Sequence, residues 1–252
     1  MTAILWHIEL SHYNEKARWA LDYKGIPHER RKPLPGQHRL VALTRTRGSN
    51  SRLPVVKLDG QPAVGDSTAI IAALEDYKPD PPLYPDDAAD LQRALALEDF
   101  FDVELGPHLR TYGWFHLIKD IDPALDSLLA NHPAWHMRLM KAGAPLVRQI
   151  IRLDYTATQA GADQALAKIR AAMDRLESEI QPNGYLAGDR FSVADLTAAA
   201  LFTPIVSAPE RPYAPLNPPA ALLDLQEELE ARPGGQWILD TYARHRPASA
   251  EI

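Results

Sequence analysis

The sequence predicts two units of different class: a small α/β unit at the N-terminus and a larger all-helical unit behind it. Three observations carry this. The first 79 residues alternate short apolar runs with amphipathic spans in the order βαβα and then ββα. The stretch "KPDPPLYPDD" (78–87), with four prolines in ten residues, then interrupts every regular pattern. Beyond it, apolar residues recur at helical spacing. Charge divides in the same place. Residues 1–79 hold 12 Lys/Arg against 8 Asp/Glu, and the remainder holds 15 against 25. Such asymmetry marks two units with different tasks. The units are read as 1–79 and 89–252, with 80–88 as the linker.

The elements follow in order. Ala3–Ile8 ("AILWHI") is a brief apolar run with β-branched and aromatic residues, which fits a buried strand better than a helix. Residues 12–24 switch to helical spacing, with Tyr13, Ala17, Ala20 and Leu21 on one face, and Gly25 and Pro27 stop the helix. A second strand is expected over 28–32 and a short helix over 37–44. "PVVKL" (54–58) and 61–65 flank Asp59-Gly60, a strong hairpin signal. A capped helix follows over 66–77. The second unit is expected to be helical over 86–105, 123–157, 161–180 and 192–207. Another proline-rich stretch, 204–219, precedes two short helices. Within "FSVADL" (191–196), Ser192 and Asp195 form a capping box and Phe191 meets Leu196 as a staple, so Asp195 reads as structural.

Composition closes several functional classes. The chain has 252 residues, enough for a substantial core, and a net charge of −6 that gives no general attraction to nucleic acid. It contains no cysteine. Disulfides, thiolate nucleophiles and Cys-ligated metals are thereby excluded. No apolar run approaches the roughly 20 residues of a membrane span, and the N-terminus lacks a signal-peptide pattern. The chain is expected to be cytoplasmic, without membrane or nucleic-acid partners. His132 and His136 stand four apart, but no third ligand pattern accompanies them, so no metal is expected. No glycine-rich phosphate loop or serine-hydrolase elbow is present.

Three motifs remain. "SHYNEKARWALDYKG" lies at a strand-to-helix junction, "RLPVVKLDG…AVGDSTAI" spans the hairpin and the next helix start, and "GYLAGDRFSVADLTAAALF" caps a buried helix. In this order and spacing the chain resembles the cytosolic glutathione transferases over nearly its full length. The resemblance implies a thioredoxin-like α/β N-terminal domain (βαβ-ββα) followed by an all-α helical-bundle C-terminal domain. It also implies glutathione as co-substrate, a small hydrophobic electrophile as the other substrate, and a homodimer packed through the 86–105 helix.

The resemblance assigns residues as well. Leu53-Pro54 takes the place of the family's cis-proline, where the backbone of Leu53 pairs with the cysteinyl peptide of glutathione. Asp66 and Ser67, at a helix N-terminus suited to anions, take the γ-glutamyl group. Arg52, with Gln37, His38 and Arg39 behind it, is placed near the glycyl carboxylate. Register with Lys16 and Arg18 puts Ser11 at the position of the catalytic serine or cysteine. Its hydroxyl would stabilise the glutathione thiolate at the end of the first helix. Tyr13 and Asn14 are the runners-up. Ser-x-x-Asn in place of Cys-x-x-Cys removes dithiol redox chemistry. Trp6-His7-Ile8 lacks the tyrosine some classes use, which favours a serine-type enzyme. Tyr112, Trp114, Phe115 and His116 in "RTYGWFHLI" are candidates for the electrophile site, with Trp135 and Trp237 behind them. Two other outcomes stay open: a non-catalytic binding or regulatory module on this fold, and a glutathione-dependent β-etherase. The latter is suggested by the first turn, although His12 stands where those enzymes carry proline.

Overall fold

The computed structural model describes residues 2–34, 36–120, 122–123, 125–126, 133–214 and 217–252. A four-stranded sheet in the order β2-β1-β3-β4 forms the N-terminal half. Strand β1 (Ala3–Trp6) pairs parallel to β2 (His28–Arg31) and antiparallel to β3 (Val55–Leu58), which pairs antiparallel to β4 (Ala63–Gly65). The parallel β1–β2 pair needs a crossover, supplied by α1 (His12–Tyr23). Helix α2 (His38–Arg45) bridges β2 to β3, and α3 (Ser67–Tyr77) leaves β4. The β3–β4 turn has Gly60 at φ 73°, the left-handed conformation that glycine adopts without steric cost. This is the thioredoxin-like sheet that the motifs implied.

The remainder is mostly helical. Helix α4 (Ala88–Phe100) runs through a π-helical turn (Phe101–Leu105) directly into α5 (Gly106–Leu117). The sequence predicts a helix over 86–105, and the structure carries it on to Leu117. Pro107 sits in the first turn of α5, where its missing N–H costs no intrahelical bond. The span expected as one helix over 123–157 contains α6 (Ala134–Ala142) and α7 (Ala144–Asp154), separated at Gly143 with Pro145 opening the second. Helices α8 (Gln159–Glu179), α9 (Val193–Phe202), α10 (Ala220–Glu230) and α11 (Pro233–His245) complete the chain. No described helix is long and apolar enough to cross a membrane.

The two halves share one continuous core. Trp19 on α1 lies 5.7 Å from Phe191 and 4.2 Å from Tyr242, ring centre to ring centre. The proline-rich connection is pinned as well. Buried Lys24 at the end of α1 donates to the carbonyls of Lys78 (2.8 Å) and Pro81 (2.9 Å), and pairs with Glu75 at 2.6 Å. The capping box of α9 is present: Asp195 Oδ2 accepts from the Ser192 N–H (2.8 Å) and hydroxyl (2.7 Å), and Oδ1 from the Leu186 N–H (2.8 Å). Burial raises the Asp195 carboxyl to about 6. The C-terminal residues add a feature the sequence did not suggest: the Ile252 N–H donates to the His28 carbonyl (3.1 Å) and covers the open edge of β2.

Candidate functional site

The site grows from the turn between β1 and α1, which is held rigidly by one side chain. Fully buried Arg18 donates to the Glu9 carbonyl (2.9 Å) and the Ile8 carbonyl (3.2 Å), and pairs with Glu15 (2.9 Å). It also reaches His7 Nδ1 at 2.9 Å. Burial, and then the Arg18 charge, hold the His7 imidazole down to about 2, so the ring is neutral and accepts at Nδ1. Lys16, equally buried, works in the other direction. Its ammonium lies 2.6 Å from Asp102, 2.8 Å from Glu98 and 2.9 Å from the Thr68 hydroxyl. The two basic positions of the first motif are thus a clamp on the turn and a tie from α1 to α3, α4 and the π turn. Burial raises the Glu98 carboxyl, and Lys16 opposes that rise.

The three polar candidates at the turn differ in how their groups are used. Asn14 is completely buried; its Oδ1 accepts from the Ile8 N–H (3.1 Å) and its Nδ2 donates to the Leu53 carbonyl (3.4 Å). It clips the turn to the Leu53-Pro54 loop. Tyr13 Oη donates to the Asp102 carbonyl at 2.6 Å, and burial raises the phenol well above its usual range. Its only proton is therefore spent. Ser11 is half-buried at the N-cap of α1, with extended backbone (φ −77°, ψ 127°), yet its side chain makes no capping bond.

Two cavities flank this turn. The first, of about 520 Å³, lies between the ends of β3 and α3 and the α4–α5 junction. It gathers Arg52, Leu53, Pro54, Asp66, Ser67 and Tyr13. The Leu53-Pro54 peptide is cis. Asp66 caps α3, accepting from the N–H groups of Thr68 (3.0 Å) and Ala69 (3.2 Å), with its own φ at 77°. Ser67 is buried at the first position of the helix. The structure adds residues that sequence reasoning missed: Glu98, Asp99, Asp102 and Arg110 from the α4–α5 segment. Only the π turn, which re-aims side chains within a continuous helix, could have signalled Asp102, and it leaves no mark in the sequence.

The second cavity, of about 390 Å³, lies on the other side of Leu10 and is predominantly apolar, with Trp114, Tyr155, Met140 and Ile151 among its walls. His38 and Arg39 line this cavity and not the first, with Arg39 paired to Asp154 at 2.5 Å. Of the four aromatic candidates on α5, only Trp114 faces a cavity; it stacks on Tyr155 at 5.9 Å. Tyr112 is buried in the core against His116 at 4.6 Å, and Phe115 packs with them. Helical phase is the reason. Residues 112, 115 and 116 share one face, and 110, 111 and 114 another. Trp237 is buried with its Nε1 donating to the Gly184 carbonyl (2.7 Å), and Trp135 is exposed. His132 lies outside the described residues.

A thioredoxin-like sheet with a cis-proline beside a capped helix, joined to a helical half through one core, defines the two-domain architecture of the glutathione transferases. The model for the glutathione S-transferase N-terminal domain matches residues 5–82, and that for the C-terminal domain matches residues 159–223. Together they span more than half of the chain, which belongs to the glutathione S-transferase family. No curated protein matches the sequence. Among solved structures, the chain is similar to a glutathione S-transferase from Methylobacterium radiotolerans JCM 2831 in complex with glutathione sulfonate. Identity is 22% over 98% of this chain and 95% of that one, with a TM-score of 0.55. It is similar to the β-etherase LigF from Sphingobium sp. strain SYK-6, at 21% identity over 95% and 99% of the two chains and a TM-score of 0.61. A glutathione S-transferase from Methylobacillus flagellatus KT with glutathione bound gives 14% identity, 98% and 100% coverage and a TM-score of 0.59. At these identities the likeness is one of fold.

Proposed function

We propose that the protein is a glutathione transferase in which the Ser11 hydroxyl stabilises the thiolate for attack on a hydrophobic electrophile. One observation carries the reading. Ser11 stands at the N-terminus of α1 without a capping bond to its own helix. It lies in the turn between Leu10, which lines the apolar cavity, and Tyr13, which lines the charged one, while itself lining neither. The first cavity suits glutathione, a peptide bearing an ammonium and two carboxylates. Asp66, Asp99 and Asp102 answer the ammonium, while Arg52 and the α3 N-terminus answer carboxylate. The second cavity, with the Trp114–Tyr155 stack as one wall, suits an aromatic electrophile.

The residues present supply a defined part of the reaction. The thiol loses its proton to solvent, and the Ser11 O–H donates to the sulfur together with the positive end of the α1 dipole. The thiolate then forms a carbon–sulfur bond while the leaving group departs with its bonding pair. Tyr13 cannot replace Ser11 as donor, because its proton is held by the Asp102 carbonyl. Exposed Leu95 and Val103 leave apolar surface on the α4 side, where a homodimer would pack.

The test begins with calorimetry of glutathione binding to the wild-type protein. Absence of binding at millimolar glutathione removes the proposal. With binding established, Ser11→Ala should raise the bound thiol pKa by about 1–2 units, the equivalent of one hydrogen bond to a charged group. Conjugation of a model aryl halide at pH 6.5 should slow in proportion. An unchanged thiol pKa in Ser11→Ala would refute the serine mechanism.

A further inference from the structure

Arg110 is a half-buried cation to which neither the fold nor the sequence motifs give a task. It projects from α5 into the wall of the first cavity. Its guanidinium carbon lies 6.0 Å from the centre of the Tyr13 ring and 5.0 Å from that of Tyr155. Tyr13 walls the first cavity and Tyr155 the second, so Arg110 is held between the two rings that border them. Thr111 fixes the Tyr155 backbone, its hydroxyl donating to the Tyr155 carbonyl at 2.8 Å. No carboxylate lies within ion-pair distance of Arg110 among the described residues, and its Nε is buried without a hydrogen-bond partner.

The neighbouring cations differ. Arg39 is paired with Asp154 (2.5 Å) and Lys32 with Glu9 (2.9 Å). Arg52, across the first cavity, is exposed and keeps its hydration. Cation–π contacts offset only part of the cost of burying an unpaired Nε–H. A guanidinium with no ion-pair partner among the described residues, on the wall of one cavity and against a ring that walls the other, is suited to a carboxylate arriving with a ligand.

We propose that Arg110 selects acceptors that carry a carboxylate on an aromatic ring. The ring lies in the apolar cavity beside Trp114 and Tyr155, and the carboxylate reaches across to the guanidinium. The proposal deepens the transferase reading and rests on it for the word acceptor, but the recognition itself is measurable without turnover.

The experiment compares 4-chloro-3-nitrobenzoate with its methyl ester. Both are titrated calorimetrically into wild-type, Arg110→Gln and Arg110→Lys proteins without glutathione, and both are then assayed for conjugation with glutathione. The wild type should prefer the acid. Arg110→Gln should lower the acid-to-ester preference in binding by roughly 10- to 100-fold, and Arg110→Lys by less, since it keeps the charge and loses the fork. The ratio within each protein cancels any general loss of structure. An unchanged ratio, or equal losses for both compounds, overturns the proposal; so does an unchanged ratio with a shifted glutathione thiol pKa, which would move the role of Arg110 to the thiol. If glutathione neither binds nor reacts while the acid-to-ester ratio still falls, the anion site stands and the transferase reading fails.

Discussion

Replacing Gly106 by alanine tests how the wall of the first cavity is built. Gly106 has ordinary helical dihedrals (φ −56°, ψ −47°), so its backbone does not require glycine. Space does. A Cβ at this position would lie 2.2 Å from Tyr13 Oη, 2.5 Å from its Cζ and 3.1 Å from its Cε2. The ring has nowhere free to go, because its hydroxyl is bonded to the Asp102 carbonyl at 2.6 Å and its face meets His12 at 4.6 Å. Displacing it forfeits a hydrogen bond worth about 1 kcal/mol and overpacks the junction by about 1–3 kcal/mol. Alanine recovers up to about 1 kcal/mol of helix propensity. The net expectation is a loss of about 1–3 kcal/mol, read from urea unfolding at constant m-value. A double-mutant cycle isolates the cause. In a Tyr13→Ala background the same alanine has room, so Gly106→Ala should cost little there, and a coupling energy of about 1–3 kcal/mol should appear. Additive effects, or a Gly106→Ala protein as stable as the wild type, would refute the packing argument. The same displacement should weaken glutathione binding, because Tyr13 is part of the cavity wall.

Two further outcomes follow from buried charge. Lys16→Met strands the carboxylates of Glu98 and Asp102 beside a methionine and should cost about 3–5 kcal/mol in urea unfolding, with part recovered in Lys16→Met/Glu98→Gln. A loss below about 1 kcal/mol would show that the network contributes nothing to stability. His12, buried and held down to about 3 chiefly by desolvation, gives the protein an acid-sensitive step. Its folded pKa lies below the unfolded value near 6.5. The unfolded chain therefore takes up the proton first, and the stability present above about 6.5 drains away as pH falls toward 3. Between pH 7 and pH 5 the stability of His12→Gln should improve relative to wild type by about 2 kcal/mol. A difference that stays constant over this range would show that His12 has the same pKa in the folded and unfolded states, and would refute the desolvation argument.

The first half of the fold was legible because its signals are local. Gly25 and Pro27 end α1, Asp59-Gly60 makes the hairpin, Asp66 caps α3, and Ser192 with Asp195 forms the capping box of α9. What the sequence hides depends on separation or on phase. Lys16 and Arg18 serve in the sequence only to set the register of the first motif, yet both are fully buried. The partners of Lys16, Glu98 and Asp102, lie more than eighty positions away in sequence. The aromatic cluster on α5 was read as one group, whereas a helix turns Tyr112 and Phe115 to the core and Trp114 to the cavity. The continuation past 105 is hidden because proline breaks a helix interior but is tolerated in a first turn, and nothing local announces that a π turn precedes Pro107.

The same distinction decides the reading of the β1–α1 turn. In sequence, Ser11, Tyr13 and Asn14 can each donate to a thiolate, and only the register with Lys16 and Arg18 puts Ser11 first. In three dimensions hydrogen bonding separates them, because a donor already engaged is not available to a ligand. Asn14 holds Ile8 and Leu53, and Tyr13 holds Asp102. An ordinary N-cap serine would accept the N–H of its own helix and be equally occupied. Ser11 does not, and the first turn of α1 keeps unpaired backbone N–H groups beside it. Under the proposed mechanism, a serine that occupies the cap position without capping is where a thiolate would meet both a side-chain donor and the helix dipole.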